Sequence, residues 1–551
     1  MKVSKVIIFL SVLFIFILPG GTLFAAGGQQ RTATPSGITP LTIATPQSAF
    51  VTDYKDNHLT RHMERMHNVD LEFLLLPTTA SDIFTRFSLM VATNDLPDIL
   101  MTSALSWAQI LDYGSNGIFI PLNRYLEDPA MAPNYAAIPV EDRNAIHSSS
   151  SSADGNIYVF VEWSVNPWNT TPSRKYINKA WLDRLGLNVP ATTADLRSVL
   201  LAFRDRDPNG NGRRDEIGVY GRFEGTYGED IITALLNSFV YFNKGRLALD
   251  ASGNTVIAPF IDPAFRRGLA YINDLYREGV LSASIFTDDG TVYRGVLNSD
   301  PPIVGFASSG SLGNWPDAAN NANFHEMALI APLTGPDGVS YTPFIIPIAG
   351  PRAMITSAGR NQNTAFRFLE SFYNRDIALI SRWGEEGVDW TRDPAELSRF
   401  TNAYINIGMF PSVIVAVLQN RWGTPQNSHW SLPNPAYFSP EMILGTQGNY
   451  LRDIPVPPPD GPVASLHYQL YTGRHPTMIL PDLKYNLADA ERLAMPVTDI
   501  TDYLNQSIAE FVTGARDINN DAVWNTYLNN LNNMGLQQWI QISQATYNRQ
   551  R

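Results

Sequence analysis

The stretch "VDLEFLLLP", residues 69 to 77, limits what this chain can fold into more than any other feature. Near-continuous apolar character over the length of a strand marks a strand buried on both faces of a sheet. Such burial needs other elements layered on each side, and the flanking sequence supplies them. "LTIATP" (41 to 46) reads as a strand and "DNHLTRHMERMHN" (56 to 68) as a helix. "SDIFTRFSLMVATND" (81 to 95) reads as a helix opened by Ser81, and "LPDILMTS" (96 to 103) as a further short strand. Strand, helix, strand, helix, strand in this order predicts a parallel sheet with helices on its faces, an α/β fold.

The alternation continues. "YVFVEWS" is a strand that leads into the Pro-containing connector "VNPWNTTPS". "NKAWLDRLGL" and "TTADLRSVLLAFRDR" are helical, the second capped at Thr193. Residues 262 to 279 form an amphipathic helix with Phe265, Leu269, Ile272 and Leu275 on one face, ended by Gly279. "HSSSSSADGNIY" (147 to 158) reads as an exposed polar loop, and residues 350 to 374 as a strand followed by a helix. The Pro- and aromatic-rich region 410 to 482 reads as loops laid over a surface, and the C-terminal stretch is helical. There is no internal repeat.

With 551 residues, 44% hydrophobic and 17% charged, the chain is long enough for two or more lobes with real cores. It has no Cys, which excludes disulfides, thiolate metal sites, a thiol nucleophile and a lipid-modified N-terminal cysteine. A formal charge of -12 without any long Lys/Arg run argues against a nucleic-acid partner. Residues 1 to 26 have Lys2 and Lys5, an apolar run from Val6 to Leu18, then "PGG" and small residues. That is the layout of a secretory signal, and the run is shorter than the roughly 20 residues a spanning helix needs. Cleavage after Ala25 or Ala26 removes Lys2 and Lys5, takes the formal charge from -12 to -14, and leaves a chain soluble in an extracytoplasmic space.

"DPNGNGRRDEIG" (207 to 218) groups oxygen donors around two glycines: Asp207, Asn209, Asn211, Asp215, Glu216 and the Arg213 carbonyl. Oxygen-only donors at alternating positions suit Ca²⁺, a hard cation that accepts flexible geometry, better than Mg²⁺, which keeps its waters. Gly210 and Gly212 allow the tight turning that brings such oxygens together. Position twelve of an EF-hand is a bidentate Glu; here it is Gly218, and Asp215 and Glu216 would close the site instead. An Asx-rich turn after a helix gives the same spacing without a metal.

Several separated motifs share a family resemblance. "KAWLDRLGLNVPATTADLRSVLLAFRDRDPNGNGRRDEIG", "GLAYINDLYREGVL", "WGEEGVDW" and "ITDYLNQSIAEFVTGARDI" with "WNTYLNNLNNMGLQQWIQISQATYNR" occur in the order seen in extracellular solute-binding proteins of carbohydrate ABC transporters. The chain resembles the large members that bind oligosaccharides and alginate-like polyuronates. The resemblance runs from about residue 40 to the C-terminus, and implies a two-lobed periplasmic-binding-protein fold (type II-like), with mixed sheets and a hinged cleft between the lobes. It places lobe one at residues 38 to 163 and 343 to 405, and lobe two at 164 to 342 and 406 to 551, after a signal peptide at 1 to 25. Alginate-binding relatives hold calcium in a loop of this pattern, which favours a structural Ca²⁺ here. Many relatives are lipoproteins; the missing cysteine points instead to a freely diffusing periplasmic monomer.

Sugar recognition needs flat apolar faces for ring C–H surfaces and polar groups for hydroxyls. Of 11 Trp, those in irregular segments are candidates: Trp163, Trp168, Trp315, Trp390 and Trp430, with Arg421 placed to meet an acidic sugar. Trp181, Trp524 and Trp539 lie on helix faces and are assigned to the core. The expected function is capture of a carbohydrate, an oligosaccharide with an acidic one included, and its delivery to the permease subunits of an ABC importer, without enzymatic activity. The alternative is a secreted glycoside hydrolase or polysaccharide lyase, for which "WGEEGVDW" offers Glu385, Glu386 and Asp389.

Overall fold

The computed structural model describes residues 37–164, 167–225, 227–310, 325–346, 348–359, 361–402, 413–419, 421–422, 424–431, 433–446, 449–451 and 460–551. The secretory segment and Trp315 lie outside the described residues. The strands of the two larger sheets are, in chain order, β1 (Thr39–Pro46), β2 (Val69–Leu76), β3 (Ile99–Met101), β4 (Phe160–Ser164), β5 (Arg174–Asn178), β6 (Ile217–Tyr220), β7 (Val304–Ser309), β8 (Met327–Ile330), β9 (Ile348–Ile355) and β10 (Ala436–Phe438). The first sheet has the order β10-β4-β9-β3-β1-β2 and the second β8-β5-β7-β6.

In the first sheet β1 pairs in parallel with β2, from Thr39↔Val69 to Pro46↔Leu76, and with β3 through Ile43↔Ile99. Only β9 is antiparallel, inserted between β3 and β4, while β10 runs parallel to β4. Residues 69–77 supply β2, an edge strand rather than a central one. Its Leu74 and Leu75 are exposed, because β1 is its sole sheet neighbour among the described strands. In the second sheet β5 is antiparallel to β7 and β8, and β6 is parallel to β7.

Each sheet organises its own core. Leu41, Phe87, Ile99, Phe160, Phe366 and Leu369 belong to the first. Ile177, Phe203, Val219, Phe265 and Phe511 belong to the second, together with Trp181, Trp524 and Trp539, as their helical positions predict. The helix Pro263–Arg277 starts at Asp262, whose carboxylate accepts from Ala264 N at 2.6 Å, and buries Phe265, Leu269, Ile272 and Leu275. Full burial of such a side chain contributes about 1.5–3 kcal/mol. Val415, Trp430, Ala436 and Ile443 pack into the first core, although the expected limits put everything after residue 405 in lobe two. Pairing of β10 with β4 draws that segment back to the first sheet.

Local chemistry shifts several boundaries. Thr79, not Ser81, caps the helix Ala80–Thr93, its hydroxyl accepting from Asp82 N at 3.3 Å. Thr192, not Thr193, caps Thr193–Asp205 in a reciprocal box with Asp195. The serine tract is not all loop. Helix Val140–Ser150 runs into it, with the Ser149 and Ser150 hydroxyls donating to Ala145 O and Ile146 O, both at 2.6 Å. Lys484, from the second half of the molecule, closes that helix: its ammonium donates to Ser148 O (2.9 Å), Ser151 O (2.7 Å) and Ser149 O. It also stands 4.6 Å from the Trp107 ring centroid. Burial pulls the ammonium down to about 8, so it stays charged at neutral pH, where the negative end of the helix favours it. No helix among the described residues is long and apolar enough to cross a membrane.

Candidate functional site

Strand direction locates the cleft. All first-sheet strands except β9 point the same way, so Pro46, Leu76, Met101, Ser164 and Phe438 end at one edge. From Ser164 the chain passes to Arg174, the first residue of β5, ten positions on. The edge of the second sheet that holds Arg174 also holds the ends of β6 and β7, Tyr220 and Ser309. The crossover thus joins these two edges, and open α/β sheets bind ligands at the carboxyl ends of their strands.

On the lobe-two side, Trp168 lies partly buried in the crossover, with its ring stacked on the Arg174 guanidinium, 3.5 Å from the centroid. Arg174 is fully buried and holds the crossover by donating to Trp168 O (2.6 Å), Thr171 O (3.4 Å) and Gly310 O. The His467 ring meets the Trp168 edge at 5.2 Å and contacts the Thr171 hydroxyl at 2.8 Å. Burial, reinforced by the Arg174 charge, pushes His467 down to about 3 and keeps it neutral. Tyr227 donates to Asn169 Oδ1 at 2.7 Å, and its ring lies 5.9 Å from the same Arg174 guanidinium that Trp168 stacks on. Its loop needs glycine: a Cβ on Gly228 (φ +75°) would strike Pro172 O, and one on Gly310 would strike Tyr227 O. Where this aromatic strip ends a cavity of about 480 Å³ begins, lined by Ser173, Gly225, Gly228, Phe344, Leu480 and Trp539.

Among the described residues, three other expected stacking faces, Trp163, Trp390 and Trp430, are buried. Trp390 is 0% and Trp430 1% exposed. The Trp390 indole donates to Gly384 O at 2.8 Å and that of Trp430 to Thr60 Oγ1 at 2.9 Å. Trp163 is 7% exposed in the first core, its indole N–H without a partner among the described residues. Trp163 lies on β4, and the irregular sequence around Trp390 and Trp430 belongs to segments that pack on the first core. Arg421 donates to the buried Asp389 carboxylate at 2.8 Å and so meets an acid of its own chain. Tyr227 was missed; the glycines flanking it in "GTYG" are the signal that marks a tightly placed loop.

The acidic segment expected of a hydrolase is neutralised. Glu386 pairs with Arg392 at 2.7 Å, which holds its carboxyl below the usual range, and Asp389 pairs with Arg421. Glu385 stands 3.5 Å from His58, and its N–H donates to Asp389 at 3.0 Å. Two carboxylates poised across a cleft are not what this segment offers.

The 207–216 loop is different. Asp207 adopts φ +44°, and Gly210 and Gly212 lie at +73° and +74°. The Asp207 carboxylate accepts from Asn211 N (3.2 Å) and Gly212 N (3.0 Å), and Asn211 Oδ1 accepts from Arg213 N at 2.8 Å. Asn209 and Asn211 turn their amide N–H groups to Asp215 at 3.2 and 3.0 Å. Glu216 Oε1 is buried with no hydrogen-bond partner among the described residues. Burial first, then the charges of Asp207 and Asp215, raises the Glu216 carboxyl. No group of three or more His, Cys, Asp or Glu among the described residues is arranged to hold a metal as they stand.

No protein-family model matches the chain. It is 23% identical over 493 residues to the fructooligosaccharide ABC transporter substrate-binding protein FusA of Streptococcus pneumoniae, covering 85% of this chain and 82% of FusA. The FusA complex with kestose matches with a TM-score of 0.71 at 21% identity, over 93% of this chain and 99% of FusA; an "EF-hand mutant" of FusA matches equally well. An HMO-binding, ABC-transporter-associated solute-binding protein of Bifidobacterium longum infantis matches with a TM-score of 0.74 at 17% identity, over 93% and 99% of the two chains. The alginate-binding protein AlgQ2 "without calcium ion" matches with a TM-score of 0.64 at 20% identity, over 93% and 98%. The fold is thus the two-lobed α/β fold of solute-binding proteins. By sequence the chain is a homologue of the carbohydrate-binding solute-binding proteins of ABC importers, whose named members are binding proteins and not enzymes.

Proposed function

We propose that this protein captures an oligosaccharide between its lobes and hands it to the membrane permease of an ABC importer. The observation that carries this reading is the Trp168–Tyr227 strip, two aromatic rings placed on the edge of lobe two that the crossover joins to lobe one. The neighbouring guanidinium groups are engaged: Arg174 by carbonyls, Arg222 by Glu229 at 3.0 Å and Arg246 by Glu224 at 2.7 Å. The lobes, taken from packing as 39–164 with 348–451 and 167–346 with 460–551, close on the sugar.

The 207–216 loop holds one structural Ca²⁺ in this reading. The orphaned Glu216 oxygen beside Asp207 and Asp215 is the supporting observation. A flip of the Asn209 and Asn211 amides exchanges N–H for oxygen toward Asp215, and the Arg213 carbonyl completes an all-oxygen set. The cation would neutralise the carboxylates and tie the turn together. The protein acts in the periplasm as a monomer, and its N-terminal signal is removed near Ala26; N-terminal sequencing of the exported form checks that cleavage.

The central test is calorimetric titration with kestose, milk tetrasaccharides and alginate oligomers, with a parallel assay for new reducing ends. Tight binding of one sugar without cleavage is expected, with compaction in small-angle scattering and an affinity that Trp168→Ala lowers by about 1–3 kcal/mol. New reducing ends would establish an enzyme and overturn the reading.

A further inference from the structure

Lobe one also presents an aromatic ring at the edge that the crossover joins to lobe two. Phe50 follows the end of β1 at Pro46 by four residues and is 43% exposed. Among the other exposed apolar residues of this lobe, Leu74 and Leu75 lie on the edge strand β2 and Phe84 and Leu89 on helix Ala80–Thr93; of these only Phe84 is aromatic, and it stands on a helix rather than in a loop at a strand end.

Exposure of a large apolar ring in a slack loop means little, but this loop is held from both ends. Gln47 N donates to Leu76 O at 3.0 Å and Phe50 N to Ser48 Oγ at 3.2 Å. Gln426 N donates to Phe50 O at 3.0 Å, Thr52 N returns to Gln426 O at 3.1 Å, and Asp53 N donates to Asn427 Oδ1 at 2.8 Å. The Tyr54 hydroxyl donates to Pro46 O at 3.1 Å; Thr60 bonds Tyr54 O, and the buried Trp430 indole bonds Thr60. Trp430 thus offers no ring of its own to the cleft; it staples the loop that does. So fixed, the loop holds the Phe50 backbone at the sheet edge with its ring exposed. A rigid, exposed, flat apolar face gains stability only from a ligand with a flat apolar face of its own.

We propose that Phe50 is the lobe-one stacking platform for a sugar ring of the ligand, opposite the Trp168–Tyr227 strip. This rests on the carbohydrate-binding reading and assigns it a residue on the second lobe. Closure brings two aromatic surfaces from different lobes onto one oligosaccharide, so the ligand itself becomes the bond between them.

The test uses the full-length protein and whichever of kestose, nystose and laminaritriose binds it most tightly. Phe50→Ala is expected to weaken binding about 10- to 100-fold, with the melting temperature of the sugar-free protein unchanged. Phe50→Trp is expected to restore affinity and to give a sugar-dependent shift in emission. Phe50→Leu keeps apolar area without a flat ring and is expected to bind as poorly as the alanine variant; full affinity in Phe50→Leu would overturn the stacking role. Binding that Trp168→Ala weakens and Phe50→Ala leaves intact would overturn the proposal while sparing the carbohydrate reading. Failure of every sugar to bind the unaltered protein would overturn both.

Discussion

Two short acid-rich segments, 207–216 in lobe two and 383–392 in lobe one, solve the same electrostatic problem in opposite ways. In the second, each negative group faces a positive or polar group from its own chain: Arg392 for Glu386, Arg421 for Asp389. Gly384 lets the chain fold over Asp389, since a Cβ there would strike that carboxylate and Ser428. In the first, three carboxylates sit within a few positions, and the arginines next to them, Arg213 and Arg214, are exposed and form no ion pair with them among the described residues. The one segment is finished by protein; the other keeps an unmatched charge and a bare buried oxygen. A cluster of acids therefore marks a site only where the fold withholds the counter-charge.

Breaking the finished segment should cost most. Trp390 is the fully buried ring at its centre, and Trp390→Ala is expected to destabilise the protein by about 3–5 kcal/mol in denaturant melts, far beyond any change in sugar affinity. Asp389→Ala should cost about 3 kcal/mol, less than a fully buried pair because Arg421 is partly open to solvent, and the loss should not respond to calcium. Preserved stability in either variant would erase the contrast. The unfinished loop should behave conversely. Calcium at a hundredfold above its dissociation constant is expected to add about 2.7 kcal/mol, chelation to remove it, and Asp207→Ala to abolish the response. A chelator that leaves melting unchanged but abolishes sugar binding would move the metal into the ligand site.

Acid gives the most graded test. Burial holds His429, near Asp389, down to about 4, and His467, in lobe two, down to about 3. The unfolded chain takes up these protons below about pH 6.5 while the folded chain does not, so stability is complete above 6.5 and falls as pH drops toward 4. The expected slope is about 1.4 kcal/mol per pH unit for each histidine. His429→Gln should flatten the acid limb of the stability profile; an unchanged limb would remove His429 from the account.

How far the sequence reached depends on what kind of physics was asked of it. Helices with a strong apolar face, such as Pro263–Arg277, were legible because periodicity and capping are local. The α/β order was legible for the same reason. The place of β2 at the sheet edge was not, because an apolar run states that a strand can be covered on both faces without saying that a neighbour exists. The serine tract misled because Ser is a poor helix former whose cost here is offset by a lysine more than 300 residues away. For the site, both assignments remain proposals: spacing singled out the loop donors, and the connector singled out Trp168. Trp390 and Trp430 were not separable from it by composition, since what distinguishes them is where each indole N–H finds its acceptor. Phe50 and Tyr227 carry no periodic signal; only the edges of two assembled sheets give them meaning.

The late position of β9 has a consequence for how the chain comes into being. It is the strand between β4 and β3, yet it begins at residue 348, after the whole second sheet has been made. A ribosome that has delivered β1 to β4 has produced two unpaired fragments of a sheet whose middle is still missing, and contacts this distant in sequence form slowly. For the exported chain proposed above, such a delay is useful: a polypeptide drawn through a narrow membrane pore must remain unlocked until the far side. Here the key to the first lobe leaves the ribosome only when about two-thirds of the 551 residues have already gone ahead.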